Sequence, residues 1–549
     1  MIEHIRNIGE YVNEAYPEKD TIYSMVNKIP DDTLEAVLVI NVSEKDIETF
    51  EKEFYRSVVN DALFYQRGNG ALGGGIRLDM YKDSKVKSAC TFCEIPERYE
   101  DVKSIIDKYI SEKGNKAFAI ININGKTPAE IFKDKFKDKM YTTMYKQLEG
   151  EHICHLCGEK RNVFNNVIYS FYTNDKQIYN NLNHKEKTGV VVCRNCLDKI
   201  IVGKEYVEQN LTAYWIDNLV MFLPHKYDDY IAKLYESTRL DSEKSRGKLL
   251  DDIKLNEEEV LDEIGKSNSI TDMVFHSVDA KTKVMVINHQ IQDILPSRFT
   301  IVSNLLKTYK LKLGTVLKYA ASVKMPDEGD SSSDKERMRI LDAVFLKKRI
   351  SRNLFFKRAM DVYKYYYIKG EHKKNYCMRN INKVYSFLCG CGCLERECNV
   401  MQVYKSYEEL FENNREYFDS NEKKAWFILG RAYNTIIYNI RKTLTDDEDE
   451  NSDDSMKTSL EKNFFFARKF DFNDFIYFSN LLEEKAFKYS INNGYFKSMM
   501  CEAKDLMGKR EDKLSQDEAK YLFFWGMDCY FKSEDEENIS KEENKEQEV

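Results

Sequence analysis

The sequence predicts an α+β protein: a mixed α/β N-terminal part, an inserted four-cysteine zinc-ribbon-like subdomain and a C-terminal all-α helical bundle. Three observations predict it. Before residue 150 strand-like apolar runs alternate with helix signals, between 154 and 196 two Cys-x-x-Cys knuckles punctuate the chain, and beyond about 330 nearly every signal is helical. The 549 residues suffice for two to four domains with substantial cores. At 42 % hydrophobic and 13 % aromatic, the composition excludes a disordered chain. The expected division is an α+β domain at 1–150, the zinc-ribbon-like subdomain at 151–225 and a continuation of the N-terminal lobe at 226–330. A basic helical connector at 331–400 and a small-subunit-like helical bundle with an acidic tail at 401–549 complete it.

In the first domain 34–42 (LEAVLVINV) reads as a buried strand, and Ile47, Phe50, Phe54 and Val58 then recur at helical spacing. A glycine-rich loop, YQRGNGALGGGI, follows at 65–76. A second strand at 117–123 ends on Asn124-Gly125, a turn dipeptide, and Thr127-Pro128-Ala129-Glu130 is a capping box that opens a helix. Residues 325–336 (MPDEGDSSSDKE) form a linker by composition. Beyond it, Asp419 and Glu422 cap a helix whose apolar face is Trp426, Leu429, Tyr433, Ile436 and Ile440. Phe475, Phe478, Leu482 and Tyr489 mark another. Ser515 and Glu518 box the start of a last helix through Tyr521, Phe524 and Trp525. Helices in this succession read as an antiparallel bundle.

The sharpest chemical motif is Cys154-His155-Leu156-Cys157-Gly158 followed by Cys193-Arg194-Asn195-Cys196. Two such knuckles present four thiolates tetrahedrally, which suits a structural Zn²⁺ with no open coordination position. Gly158 supplies the positive φ that the turn after a knuckle needs. The 35-residue spacer exceeds the usual ribbon interval, so NVIYSFYTNDKQIY within it is expected to form its own hairpin. His152 and His155 read as surface neighbours. Cys90 and Cys93 form a lone knuckle best read as buried thiols; Cys389, Cys391 and Cys393, with Cys398 nearby, are a candidate second metal site, but they match no standard zinc spacing and read better as structural.

The charge needs dissecting. The chain carries 92 acids against 84 Lys and Arg, a net charge of −8 that taken whole argues against a nucleic-acid partner. Residues 445–456 contribute −7 and 533–549 contribute −6, so the remaining 520 residues sum to +5. Residues 347–379 hold eleven bases against Asp361 and Glu371, with seven Phe or Tyr interleaved. Lys348, Arg349, Arg352, Lys357 and Arg358 form a stripe that suits a nucleic-acid backbone, tyrosines offering stacking faces. The same stretch also fits a solvated helical face over a Tyr-rich core. In the glycine-rich loop Arg67, Asn69 and Arg77 are placed to contact phosphate or base edges; a mobile hairpin is the plainer reading. The net charge therefore excludes nothing.

No catalytic residues are indicated. The eight histidines form no HExxH and no His-Asp dyad, and neither a GxSxG nor a nuclease-like carboxylate signature occurs. No apolar run approaches the about 18 residues of a membrane span, and the first residues lack the regions of a secretory signal. A cytoplasmic location is expected.

The chain resembles the large subunit of a type I-B CRISPR Cascade complex. The resemblance runs through CHLCG, FYTNDK (171–176), CRNC, IVGKEYV (201–207) and FLPH (222–225). It continues in QDILPSR (292–298), ILDAVFLKKR (340–349), KKAWFILGRAY (423–433) and LSQDEAKYLFFWGM (514–527). It implies a non-catalytic subunit assembled with crRNA and with the Cascade backbone and crRNA-handle-binding subunits. Such a subunit helps recognise the protospacer-adjacent motif, supports opening of the target DNA and recruits a helicase–nuclease. It also implies a small subunit from an internal start, for which Met401 is the candidate. The competing readings are a metal-dependent nuclease and a free-standing zinc-ribbon scaffold that binds nucleic acid.

Overall fold

The computed structural model describes the chain apart from residues 18–19, 28, 30–32, 68–69, 146, 166–189, 237–248, 279–284, 322–331, 370–373, 396–403, 446–467, 489–493, 511–512 and 532–549. It comprises two compact units, Met1–Asp251 with Ser269–Asp293, and Asp252–Asn268 with Ile294–Val549. The segment 226–330, expected to continue the N-terminal lobe, is thus shared between both.

The first unit opens on the helix Ile2–Ala15, which buries Ile2, Ile5, Ile8 and Val12. Strands β1 (Ala36–Val42) and β2 (Ile47–Glu53) pair antiparallel. The sequence spacing suggested a helix over the second of these. The turn at Ser43 to Asp46 overrides it: the Ser43 amide donates to the Asp46 carbonyl at 2.9 Å, and the Asp46 amide to Ser43 Oγ at 3.1 Å. The chain so turned back pairs with the edge of β1, and Phe50 stays 44 % exposed. A short hairpin, β3 (Tyr65–Arg67) and β4 (Gly70–Leu72), leads into β5 (Gly75–Arg77). The last strand of this sheet is β6 (Ala117–Ile123), parallel to β1 and antiparallel to β5, giving the order β2-β1-β6-β5. Burial of Val37 through Ile40 on both faces suits the central position of β1. Asn124 and Gly125 take φ of 49° and 78°, the pair of positive values a type I′ turn requires, and the Thr127–Glu130 capping box is formed.

A second sheet joins β7 (Gln147–Ile153), β8 (Lys160–Phe164) and β9 (Val192–Cys193). The proposed hairpin within the cysteine spacer lies outside the described residues. Helix Arg194–Asn210 follows directly. It crosses Ile2–Ala15 so closely that a Cβ on Gly9 would stand 1.8 Å from the Lys199 carbonyl oxygen, and one on Gly203 2.0 Å from that of Ile5. Only glycine permits this approach. The third sheet has the order β10 (Thr212–Trp215), β11 (Asn218–Pro224), β12 (Thr271–Val278), β13 (Met285–Ile294).

The second unit is helical among its described residues. Helix Ser332–Leu346 begins inside the compositional linker. Helix Arg352–Lys369 follows a break at Lys347, which takes φ of 54°. The helix Asn421–Thr445 buries Trp426, Leu429, Tyr433 and Ile436, as its periodicity predicted; the Ile440 side chain lies outside the described residues. Its first turn is served by Ser420, whose Oγ accepts from the Lys423 amide at 3.4 Å, while Asp419 accepts from Lys423 Nζ. Helices Phe472–Lys488 and Gln516–Asp528 complete an aromatic core in which Trp426, Phe470, Phe478 and Phe523 meet ring to ring. Ser515 Oγ accepts from the Glu518 amide, as expected of that cap. Tyr489, Met401 and both acidic segments, 445–456 beyond its first residue and 533–549, lie outside the described residues.

Candidate functional site

The two knuckles close on each other. Cys154 and Cys157 follow β7; Cys193 ends β9 and is the N-cap residue of Arg194–Asn210, whose first turn carries Cys196. The first knuckle is shaped by backbone bonds, Gly158 donating to the Cys154 carbonyl and Cys154 to that of Glu159, both at 2.9 Å. Gly158 takes φ of 74°. The four Sγ atoms lie within 4.8 Å of one another. Cys157 and Cys193 Sγ are 3.8 Å apart, the separation of about 3.8 Å that Zn–S bonds of about 2.3 Å impose at a tetrahedral ion. Cys157 is exposed and the other three are buried, so the cluster opens to the surface on one side.

The electrostatics suit a cation. Burial raises the Cys154 thiol, but amide donors from Cys157, Cys193 and Leu156 outweigh it and bring the group down to about 7. One of them, the Cys193 amide, lies 3.3 Å from Cys154 Sγ. Burial pushes Cys193 and Cys196 up, as for thiols crowded together without a charge to neutralise them. His155 and His152 are exposed beside the knuckle; the first exchanges hydrogen bonds with Val191 and the second lies 2.9 Å from the Glu149 carbonyl.

Two family models match this chain, one of them across the cysteine cluster. Residues 151–294 match the central domain of the CRISPR-associated protein TM1802, and residues 311–545 match its C-terminal domain. Together they span more than half of the chain. The chain belongs to the CRISPR-associated TM1802 family. All four cysteines of this CRISPR-associated chain fall within the matched central domain. No curated protein matches it.

The basic stripe is divided by the fold of this CRISPR-associated protein. Arg352 and Arg358, assigned by sequence to an exposed region, turn inward. Arg352 pairs with Glu518 at 2.5 Å and lies over Tyr417, with its guanidinium 5.2 Å from the ring centroid. Arg358 pairs with Glu336 at 2.5 Å and donates to the Ala320 carbonyl at 3.1 Å. Helical phase explains both: Phe355, Phe356 and Ala359 are buried beside them, and long cationic stems follow the apolar face inward. Leu354, on the opposite side of the helix, is 40 % exposed. Lys348, Arg349 and Lys357 stay outside, with Lys348 3.8 Å from Asp342 and Arg349 paired with Glu395.

The glycine-rich loop is sheet and core more than loop. A Cβ on Gly73 would meet the Leu63 carbonyl at 2.0 Å, so its φ of 102° serves packing. Arg77, on β5, holds Asp79 at 2.5 Å; Asn69 and the Arg67 side chain lie outside the described residues. Cys90 and Cys93 are buried thiols, each pushed up to about 12 by burial. Cys393 Sγ contacts the Ala343 carbonyl at 3.2 Å, Cys391 is buried, and Cys398 lies outside the described residues. No helix among the described residues is long and apolar enough to cross a membrane.

One cluster had no sequence signal. His4, His225 and Asp272 converge, with His225 Nε2 2.9 Å from Asp272 Oδ1 and His4 Nε2 3.6 Å from Oδ2. A His–Asp pair therefore exists in space that no motif announces, because its members lie 47 residues apart. Burial first, then the adjacent amino terminus and His225, hold His4 down to about 4.

Proposed function

We propose that the chain is the non-catalytic large subunit of a crRNA-guided type I-B interference complex of the Cascade kind, acting in cytoplasmic antiviral defence. It helps recognise the protospacer-adjacent motif, supports unwinding of target DNA and recruits the helicase–nuclease. The match to both CRISPR-associated domains is the observation that carries this reading. Its four cysteines hold a structural Zn²⁺ that fixes β7, β8 and β9 to the start of Arg194–Asn210. Lys348, Arg349 and Lys357 supply backbone contacts, and crRNA, the backbone and crRNA-handle-binding subunits and a small subunit started at Met401 are its partners.

The test is reconstitution with backbone subunits and crRNA, with and without this chain. The chain is expected to co-purify with the ribonucleoprotein, and its omission to abolish motif-dependent binding of duplex target. Undiminished target binding without it, or cleavage by the purified chain with Mg²⁺ or Mn²⁺, overturns the reading, the latter in favour of a nuclease.

A further inference from the structure

The His4–His225–Asp272 cluster is assembled from three separate elements of the first unit. His4 sits in the first turn of Ile2–Ala15, His225 follows β11, and Asp272 is the second residue of β12. The strand pairing fixes two of them: Pro224 lies opposite Thr271, and the His225 amide donates to the Ile270 carbonyl at 2.8 Å. Asp272 is only 2 % exposed, and the Asp293 amide donates to its Oδ1 at 2.9 Å. The carboxylate is therefore held in place before any ligand arrives.

The two imidazoles stack, with centroids 4.0 Å apart and planes inclined by 11°, and both turn Nε2 toward the same carboxylate. The three ligand atoms lie within 4.8 Å of one another. Bonds of about 2.0–2.1 Å at a tetrahedral ion separate adjacent N and O ligands by about 3.3 Å. The observed 2.9 and 3.6 Å, each to a different oxygen of Asp272, lie close to that value, and one of the two stacked rings turns to bring both Nε2 lone pairs onto a single ion. His4 Nδ1 is buried without a hydrogen-bond partner, so the ring is not a fully satisfied core histidine. Two imidazoles and a carboxylate form the donor set that zinc and neighbouring divalent transition metals accept, with a fourth position left for water.

We propose that His4, His225 and Asp272 form a second metal site, distinct from the four-cysteine cluster, that binds a zinc-class divalent cation. The ion staples the N-terminal helix to the junction of β11 and β12. The inference is independent of the functional reading above, since it concerns only the ligands.

The full chain is stripped with chelator under reducing conditions and equilibrated with Zn²⁺, then with Co²⁺ as a spectroscopic probe. Wild type is expected to hold two equivalents. Asp272→Asn is expected to hold one, with the cobalt–thiolate band retained; Cys157→Ser is expected to weaken and shift that band and leave the other equivalent unchanged. Where Asp272→Asn is poorly folded by circular dichroism, His4→Gln on the less buried side takes its place. It is expected to weaken the second equivalent about tenfold or more. Saturation of wild type at one equivalent overturns the proposal. So do two equivalents of undiminished affinity in folded Asp272→Asn or His4→Gln.

Discussion

The first unit gathers Lewis bases: four thiols at one cluster, two imidazoles and a buried carboxylate at another. The second gathers cations already matched to carboxylates. Arg352 and Lys423 share Glu518 at 2.5 and 3.7 Å, Lys423 also holds Asp419 at 2.7 Å, and Arg358 holds Glu336. A cluster of bases is completed by a metal ion from outside, whereas a cluster of paired charges is already complete. The difference separates residues available to a ligand from residues consumed by the fold, a separation invisible when charges are merely counted along the chain.

Chelating the Zn²⁺ proposed for the four-cysteine cluster tests the first half of that comparison and should have the largest effect. Binding at a structural zinc site is worth on the order of 10 kcal/mol of local folding free energy. Chelation, or Cys193→Ser, is expected to erase amide-exchange protection over β7–β9 and the start of Arg194–Asn210, leaving the second unit protected. Alkylation followed by peptide mass analysis gives a second readout. Cys157 is exposed and should react only once the ion is gone. Cys90 and Cys93, buried with their thiols near 12, should stay unmodified in the folded chain.

Breaking the second half is expected to cost less. Glu518 is 6 % exposed, so Glu518→Ala leaves the inward-turned Arg352 without its carboxylate and Lys423 with Asp419 alone. Leaving a buried charge unpaired costs about 3–5 kcal/mol. A fall in the denaturation midpoint of the second unit, unaffected by chelator, is the expected result. A midpoint equal to that of wild type would show that water already reaches this cluster.

How much of this was legible depended on distance along the chain. The four cysteines announced themselves because each knuckle is local and metal geometry demands the pattern. The Ser515 cap and the Trp426 face were legible for the same reason, each being settled within one or two helical turns. Strand β2 was not, since Ile47, Phe50 and Phe54 fit a helical period and only the Ser43–Asp46 turn and the open edge of β1 decide otherwise. Arg352 and Arg358 looked exposed because charge alone does not reveal helical phase; their burial rests on Glu518 and Glu336, 166 and 22 residues away. His4, 221 residues before His225, left no trace at all.

The smallest expected change in stability is also the most informative about function. Lys348, Arg349 and Lys357 lie on the outside of the second unit, and their nearest carboxylates are surface groups where present. Exposed pairs of this kind contribute about 0–1 kcal/mol, so reversing all three to Glu should barely move the denaturation midpoint. Binding of single-stranded or duplex DNA by the assembled complex should nevertheless weaken, and its dependence on salt should flatten, because each lost phosphate contact removes about one released counterion. Arg352→Glu is the contrasting variant: it should lower stability first and affect binding only through unfolding. If the triple variant leaves the salt slope unchanged while the complex stays intact, these three residues do not contact nucleic acid, and the positive charge of 347–379 serves the fold and its solubility alone.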